Sequence, residues 1–190
     1  MMTSFYSEDE LRSVGFKTVG KHVLISRKAS IYNPGAISIG DNVRIDDFCV
    51  LGGGSGLVLG NFVHVACYCG LFAGSGIVME NFSGLSARVL VYSESDDYSG
   101  ESLTNPTVPE RYKPKMKKGT VVLGKHVIVG ANSTILPGLV IAEGAAIGAH
   151  SLVTKNCESW SIYFGVPARR LRRRSRNLLE LERKFLCTMP

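Results

Sequence analysis

The segment Leu59-Gly60-Asn61-Phe62-Val63-His64-Val65-Ala66-Cys67-Tyr68-Cys69-Gly70-Leu71 places an aliphatic residue at every sixth position, and that spacing decides the fold. The same beat runs back through Leu51, Ile45, Ile39, Ile31, Ile25 and Val19, and forward through Met79, Leu85 and Val91. After a long interruption it resumes at Leu123, Val129, Ile135, Ile141, Ile147 and Val153. All eighteen anchors are Val, Ile, Leu or Met in a chain that is 45% hydrophobic. Chance agreement is on the order of one in a million before allowance for the choice of register.

Four residues after most anchors stands a small or compact residue, among them Val43, Cys49, Cys69, Ser83, Ser133 and Ala145. A helix cannot put residues six apart on one face, and a single strand cannot run straight for so long in a compact chain. Short strands joined by turns can. Steps of eight at Ile31 to Ile39, Leu51 to Leu59 and Leu71 to Met79 make the first turns twenty residues long, as six, six and eight. Beyond Leu123 the spacing stays at six, which gives turns of eighteen. Three flat faces per turn, stacked turn on turn, make a parallel β-helix in which each turn needs its neighbours to bury its anchors.

The division this predicts is an N-terminal cap over residues 1–18, a β-helix over residues 19–155 broken by a loop at 93–120, and a C-terminal extension over 156–190. Ser7-Glu8-Asp9-Glu10 reads as a capping box, so a short helix over 8–13 is expected to plug the first turn. The glycine-rich links Gly52-Gly53-Gly54-Ser55-Gly56 and Ala73-Gly74-Ser75-Gly76 fall where the repeat gains two residues, and are read as corners rather than phosphate loops, since no Gly-Lys-Ser/Thr follows. The tail from Ala168 to Leu186 reads as a basic α-helix, with Leu171, Leu178, Leu181 and Phe185 near helical spacing.

Charge is uneven. Residues 168–190 hold eight Lys or Arg and two Glu, which accounts for the whole net charge of +6, because residues 1–167 carry fourteen of each sign. No export signal is read in Met1 to Glu10, and no segment approaches the roughly 20 apolar residues of a membrane span. A cytoplasmic protein with no membrane insertion and no nucleic-acid partner is expected. Cys49 and Cys69 fall on inward positions where a thiol acts as a small hydrophobe, and the Cys67/Cys69 pair lacks a second pair at zinc spacing. No metal site is expected.

The units Leu59-Gly60-Asn61-Phe62-Val63 and Ile147-Gly148-Ala149-His150-Ser151, followed by Leu152-Val153-Thr154-Lys155 and then Phe164-Gly165-Val166-Pro167-Ala168-Arg169, resemble the hexapeptide-repeat acyltransferases. That resemblance implies a left-handed helix, although parallel crossovers in general are right-handed. Within the family the chain is similar to galactoside and maltose O-acetyltransferases. Through Asp96-Asp97-Tyr98-Ser99-Gly100 it looks closer to the acyltransferases of dTDP-4-amino-4,6-dideoxyglucose.

The resemblance implies a homotrimer with active sites between subunits, acetyl-CoA as co-substrate and a small sugar as acceptor. It places the pantetheine contacts on Gly130, Ala131 and Ala149, and further coenzyme A contacts on Thr154, Lys155, Arg169 and Arg172. Arg suits phosphate geometry. The family's loop histidine falls at Asp96, and no histidine occurs from 93 to 120.

Either Asp96 or Asp97 then serves as base, with His64 as an alternative, or the acceptor is an amine that needs less help. His22, His126 and His150 each follow an anchor by three residues and are expected to face outward in structural roles. His64 immediately precedes anchor Val65 and is expected to point away from the interior, toward a groove. The leading expectation is acetyl transfer to a nucleotide-linked amino sugar for surface polysaccharide. The alternatives are O-acetylation of a sugar hydroxyl and a non-catalytic β-helix scaffold or anionic-ligand binder.

Overall fold

The structure is a computed structural model that describes residues 4–189. Strands of two to five residues stack into three sheets of six, eight and six strands that wall a triangular prism, parallel throughout except for the last strand of the eight. It is a left-handed β-helix of about 7 turns. Register follows the spacing of the anchors. Ile39 lies beside Leu59 and Leu59 beside Met79, twenty residues apart, whereas Leu123 lies beside Ile141 and Ile135 beside Val153, eighteen apart.

Sixteen of the anchors are buried, and Val19 and Ile31 near the open first turn are partly buried against the same core. Burying one such side chain contributes about 1.5–3 kcal/mol, so the stacked column is the main source of cohesion. The corners repeat as regularly as the anchors do. Residues three after an anchor adopt left-handed backbone at His22, Asn42, Phe48, Phe62, Tyr68, Phe82, Arg88, His126, Asn132 and His150. That conformation costs a non-glycine residue roughly 1–2 kcal/mol. Stacking along the corner offsets it, with Phe62 on Phe82 at 4.6 Å and Phe82 on His126 at 5.2 Å between ring centroids. The two additional residues of the longer turns sit at the third-to-first corner, where Gly54 has φ +44° and an added Cβ would lie 2.0 Å from the Ala73 carbonyl.

Both ends are covered. The helix Glu8–Ser13 carries its capping box, with Ser7 N donating to Glu10 at 2.7 Å and Glu10 N donating to the Ser7 hydroxyl at 3.3 Å. Leu11 is buried, and Arg27 bonds both oxygens of Glu10 at 2.7 and 2.6 Å.

The other end corrects the expected helix over 168–186. Residues Arg169–Arg173 form a β-strand, and the helix spans only Leu178–Cys187. The last rung of the second sheet, Ser161–Phe164, presents an unpaired edge, and the chain reverses through Gly165 at φ +105° to pair with it antiparallel. An open edge demands backbone partners, and charged residues are suited to the new outer edge. Leu171 and Leu181 are exposed rather than packed, while Phe185 of the helix meets Phe62 edge-on at 5.4 Å. His126 faces out from the coil as His22 and His150 do, but the helix covers it, so it is buried while the other two are exposed.

Candidate active site

On the second sheet the residues just before each anchor point outward and form a column. Cα partners run Leu24, Arg44, His64, Gly84, Ile128, Ala146, Ile162 and Arg172, one per rung. Beside it, at the second-to-third corner, runs the column of residues just after the anchors: Asp46, Ala66, Ser86, Gly130 and Gly148. His64, the sequence-predicted alternative base, is exposed in this column, and its Nε2 donates to Asp46 Oδ2 at 2.8 Å. Arg44 Nε donates to the other oxygen of Asp46 at 2.7 Å. Burial works against the charge on Asp46, but the hydrogen bonds from His64 and Arg44 outweigh it and hold the carboxyl below its ordinary range.

The predicted pantetheine positions lie on the same side. Gly130 and Ala131 are at the second-to-third corner, and Ala149 is exposed one turn on. Gly130 has a structural reason as well: an added Cβ would sit 2.4 Å from Ala149 N. Arg169 and Arg172 pair with Phe164 and Ile162, with a bulge between, so both share the outer face of the sheet. Arg170 pairs with Tyr163 and turns to the opposite side, where its Nε donates to Ser161 Oγ at 3.1 Å.

The remaining predicted residues are elsewhere. The loop at 93–120 leaves the third-to-first corner, which in a triangular prism is opposite the second sheet. Glu94–Ser95 pairs antiparallel with Lys117–Lys118 at its base, and Ser75 Oγ donates to Glu94 at 2.7 Å, so the loop is an ordered arm.

Asp97 is spent on this arm. Its carboxylate accepts from Ser99 N at 3.0 Å, Glu101 N at 2.9 Å and Ser102 N at 3.1 Å, and these bonds, the one from Ser99 foremost, lower its pKa. Such a carboxylate is a poor base. The Asp96 carboxylate accepts a single bond, of 3.2 Å from Asn105 N, among the described contacts, and Asp96 borders an open recess with Asn105, Pro106, Lys113 and Met116. Thr154 and Lys155 follow the strand Leu152–Val153 onto the same corner as the arm. Tyr98 and Leu103 of the arm are exposed, Tyr98 at 93%.

The predicted residues therefore fall into two sets on opposite sides of one prism. Asp96, Asp97, Thr154 and Lys155 are at the third-to-first corner; His64, Gly130, Ala131, Ala149, Arg169 and Arg172 are on or beside the second sheet. Sequence reading missed Asp46, Gly84 and Ser86. Each stands next to an anchor, as His64 does, so its outward position is readable from the repeat. No group of three His, Cys, Asp or Glu among the described residues could hold a metal ion, and no helix among them is long and apolar enough to cross a membrane.

Comparison with known proteins bears on this arrangement. The family model described as bacterial transferase hexapeptide (six repeats) matches residues 120–155. The dTDP-4-amino-4,6-dideoxy-D-glucose acyltransferase of Escherichia coli is 43% identical over 183 residues, which span 96% of this chain and 95% of that one. AntD, an N-acyltransferase from Bacillus cereus, superposes with a TM-score of 0.96 at 52% identity, covering 99% of this chain and 100% of that one, in a complex with dTDP-4-amino-4,6-dideoxyglucose and coenzyme A. Another AntD complex holds dTDP and 3-hydroxybutyryl-CoA, at a TM-score of 0.95 and 52% identity over 99% of each chain.

Proposed function

Because the chain belongs to the hexapeptide-repeat family that includes the dTDP-4-amino-4,6-dideoxyglucose acyltransferases, we propose that it transfers an acyl group from coenzyme A to the amino group of a dTDP-linked amino sugar. The supporting observation within the molecule is the outer column of the second sheet. From Gly84 to Arg172 it climbs four rungs, about 19 Å at the usual strand spacing. That length suits an extended phosphopantetheine arm, with its phosphates at Arg169 and Arg172, its chain over Ala146 and beside Gly130, Ala131 and Ala149, and its thioester near Gly84 and His64. Acetyl-CoA is the donor expected from sequence. The 3-hydroxybutyryl-CoA held by the Bacillus cereus protein makes a short hydroxyacyl donor the one to compare with it.

The opposite placement of the two residue sets supports a homo-oligomeric site. One copy supplies the second sheet, and another brings its arm with Asp96 and its corner with Thr154 and Lys155. Three copies around an axis would close the arrangement into a homotrimer. The AntD variants carry substitutions at a serine and at an aspartate ten residues apart, the spacing of Ser86 and Asp96 in this chain. Ser86 is on the sheet side and Asp96 on the arm side, so a site that uses both draws on two copies.

An amine acceptor is nucleophilic once neutral, which fits a site whose arm offers a carboxylate and no histidine. In this reading residues 19–155 with the arm form the catalytic unit, the flanking segments cover its ends, and the enzyme works in the cytoplasm on a precursor of surface polysaccharide. Five free cysteines support a reducing compartment.

The test is thiol release from acetyl-CoA and from 3-hydroxybutyryl-CoA in the presence of dTDP-4-amino-4,6-dideoxyglucose or its 4-hydroxy analogue. Release with the amine alone is expected. Release with the hydroxyl alone would replace N-acylation with O-acylation, and absence of coenzyme A binding by calorimetry would remove the proposal.

A further inference from the structure

Gly84 is an odd residue for its place. It lies in the outer column between His64 and Ile128, where the rungs below carry Leu24, Arg44 and His64. Its φ is not in the left-handed region, and an added Cβ would meet nothing nearer than the His64 carbonyl at 3.7 Å. The stack thus tolerates a side chain here, unlike at Gly130 or at Gly60, where an added Cβ would come within 2.4 and 2.5 Å of the next turn. A glycine that the backbone does not require leaves a notch one rung deep. Its floor is Gly84, the rung below carries His64, whose ring reaches to Asp46, the rung above carries Ile128, and Ser86 follows toward the corner.

The His64 ring is oriented. Asp46 can only accept at Oδ2, so the 2.8 Å bond fixes a proton on His64 Nε2, and in the neutral ring the lone pair is then on Nδ1. Arg44 on the other oxygen of Asp46 fixes that carboxylate in turn. Asp46 is mostly covered, with 19% of its side chain exposed, whereas His64 is 52% exposed. The arrangement is an open ring backed by a covered, clamped carboxylate, the order of parts found where a base is oriented by a third group.

We propose that the Gly84 notch receives the amine-bearing carbon of the acceptor sugar, and that Asp46 is a positioning residue which holds His64 to take the proton from that amine. This rests on the acyl-transfer reading above. The step balances without any further reactant. The amine nitrogen attacks the thioester carbonyl, a C–N bond forms, and the tetrahedral adduct collapses with cleavage of the C–S bond. The proton leaving nitrogen passes to His64 Nδ1 and from there to the departing thiolate, so amide and free coenzyme A thiol leave and the imidazole is again neutral.

The test uses the full-length enzyme and four variants. Asp46→Asn, which keeps the shape, is expected to lower kcat about 100-fold, the lower end of what a positioned base contributes, with acyl-CoA affinity by calorimetry unchanged. His64→Ala is expected to lose as much and to regain rate when imidazole is added. In the Asp46→Asn/His64→Ala double variant the Asp46 change is expected to add no further loss, because Asp46 acts through His64.

Gly84→Val, with unchanged Tm, is expected to raise the acceptor KM about tenfold or more by filling the notch. Full kcat in Asp46→Asn, additive losses in the double variant, or an unchanged acceptor KM in Gly84→Val would each overturn the proposal. A wild-type enzyme that binds no acyl-CoA at all would instead overturn the acyl-transfer reading beneath it.

Discussion

Glu182 of the C-terminal helix and His126 of the first-to-second corner meet at 2.8 Å, each side chain less than a tenth exposed. Lys125 Nζ reaches the other oxygen of Glu182 at 2.6 Å. Burial opposes the charge on Glu182, but the hydrogen bonds from Lys125 and His126 prevail and lower its pKa. A depressed carboxylate contributes stability that is fully present above its unfolded value, about 4.3, and is lost as pH falls through the folded one. Helix Leu178–Cys187 is therefore expected to undock at acid pH before the solenoid opens. Glu182→Gln is expected to weaken docking at neutral pH by about 1.5–3 kcal/mol, the range for hydrogen bonds to a charged group. Hydrogen exchange of residues 178–187 against the coil amides measures both.

The first turn has a similar acid-sensitive fastening. Glu10, held chiefly by the Arg27 hydrogen bonds and also by Ser7, has its pKa lowered to about 2. Its contribution is present above pH of about 4.3 and disappears between there and about 2. Protease cleavage near residues 8–13 is expected to accelerate across that window in the wild type. In Arg27→Met it is expected to be fast throughout, with no step.

The solenoid was legible because its signal is redundant. Eighteen anchors report one geometry, and an error at any one, such as the half-covered Val19 or Ile31, leaves the rest intact. The capping box was legible for the opposite reason, since it is local and its four residues contain the whole interaction. The tail differs from expectation because its composition favours a helix in isolation, with seven arginines and five leucines after Ala168. Arg169–Arg173 is instead captured by an edge that exists only once the stack has formed. Asp46 and His64 are eighteen residues apart in sequence, and Ser86 lies a further turn away. The repeat places each beside an anchor on the outer side, but the contact of Asp46 with His64 forms only when successive turns stack.

The edge strand separates its arginines by side, and kinetics are expected to follow. Arg169 and Arg172 share the outer face with Ile162 and Phe164. Arg170 is engaged with Ser161 and, at 3.4 Å, with Glu158. Arg169→Ala and Arg172→Ala are each expected to raise the acyl-CoA KM about tenfold, close to 1.4 kcal/mol, the weight of one charge-assisted phosphate contact. Arg170→Ala is expected to leave that KM within twofold. Equal effects at all three positions would mean that general charge, not the groove, attracts the donor.

Gly130 and Ala149 are neighbouring small residues that two different demands explain. At Gly130 an added Cβ would lie 2.4 Å from Ala149 N and 2.8 Å from its Cα, both backbone atoms that a parallel stack holds in place. Gly130→Ala is therefore expected to destabilise the coil by about 1–3 kcal/mol, the usual range for overpacking. A chain of this size loses roughly 2–4 °C of Tm for each of those kcal/mol. Ala149 is exposed, so the coil has room for a larger side chain there. Ala149→Trp is expected to keep the wild-type Tm while acyl-CoA affinity falls at least about tenfold, because the indole would occupy the surface along which the pantetheine passes. Calorimetry with coenzyme A, paired with thermal melts of both variants, separates the residue that the stack needs from the one that the donor needs. Weak donor binding in Gly130→Ala at full Tm, or a lowered Tm with intact binding in Ala149→Trp, would reverse the two roles.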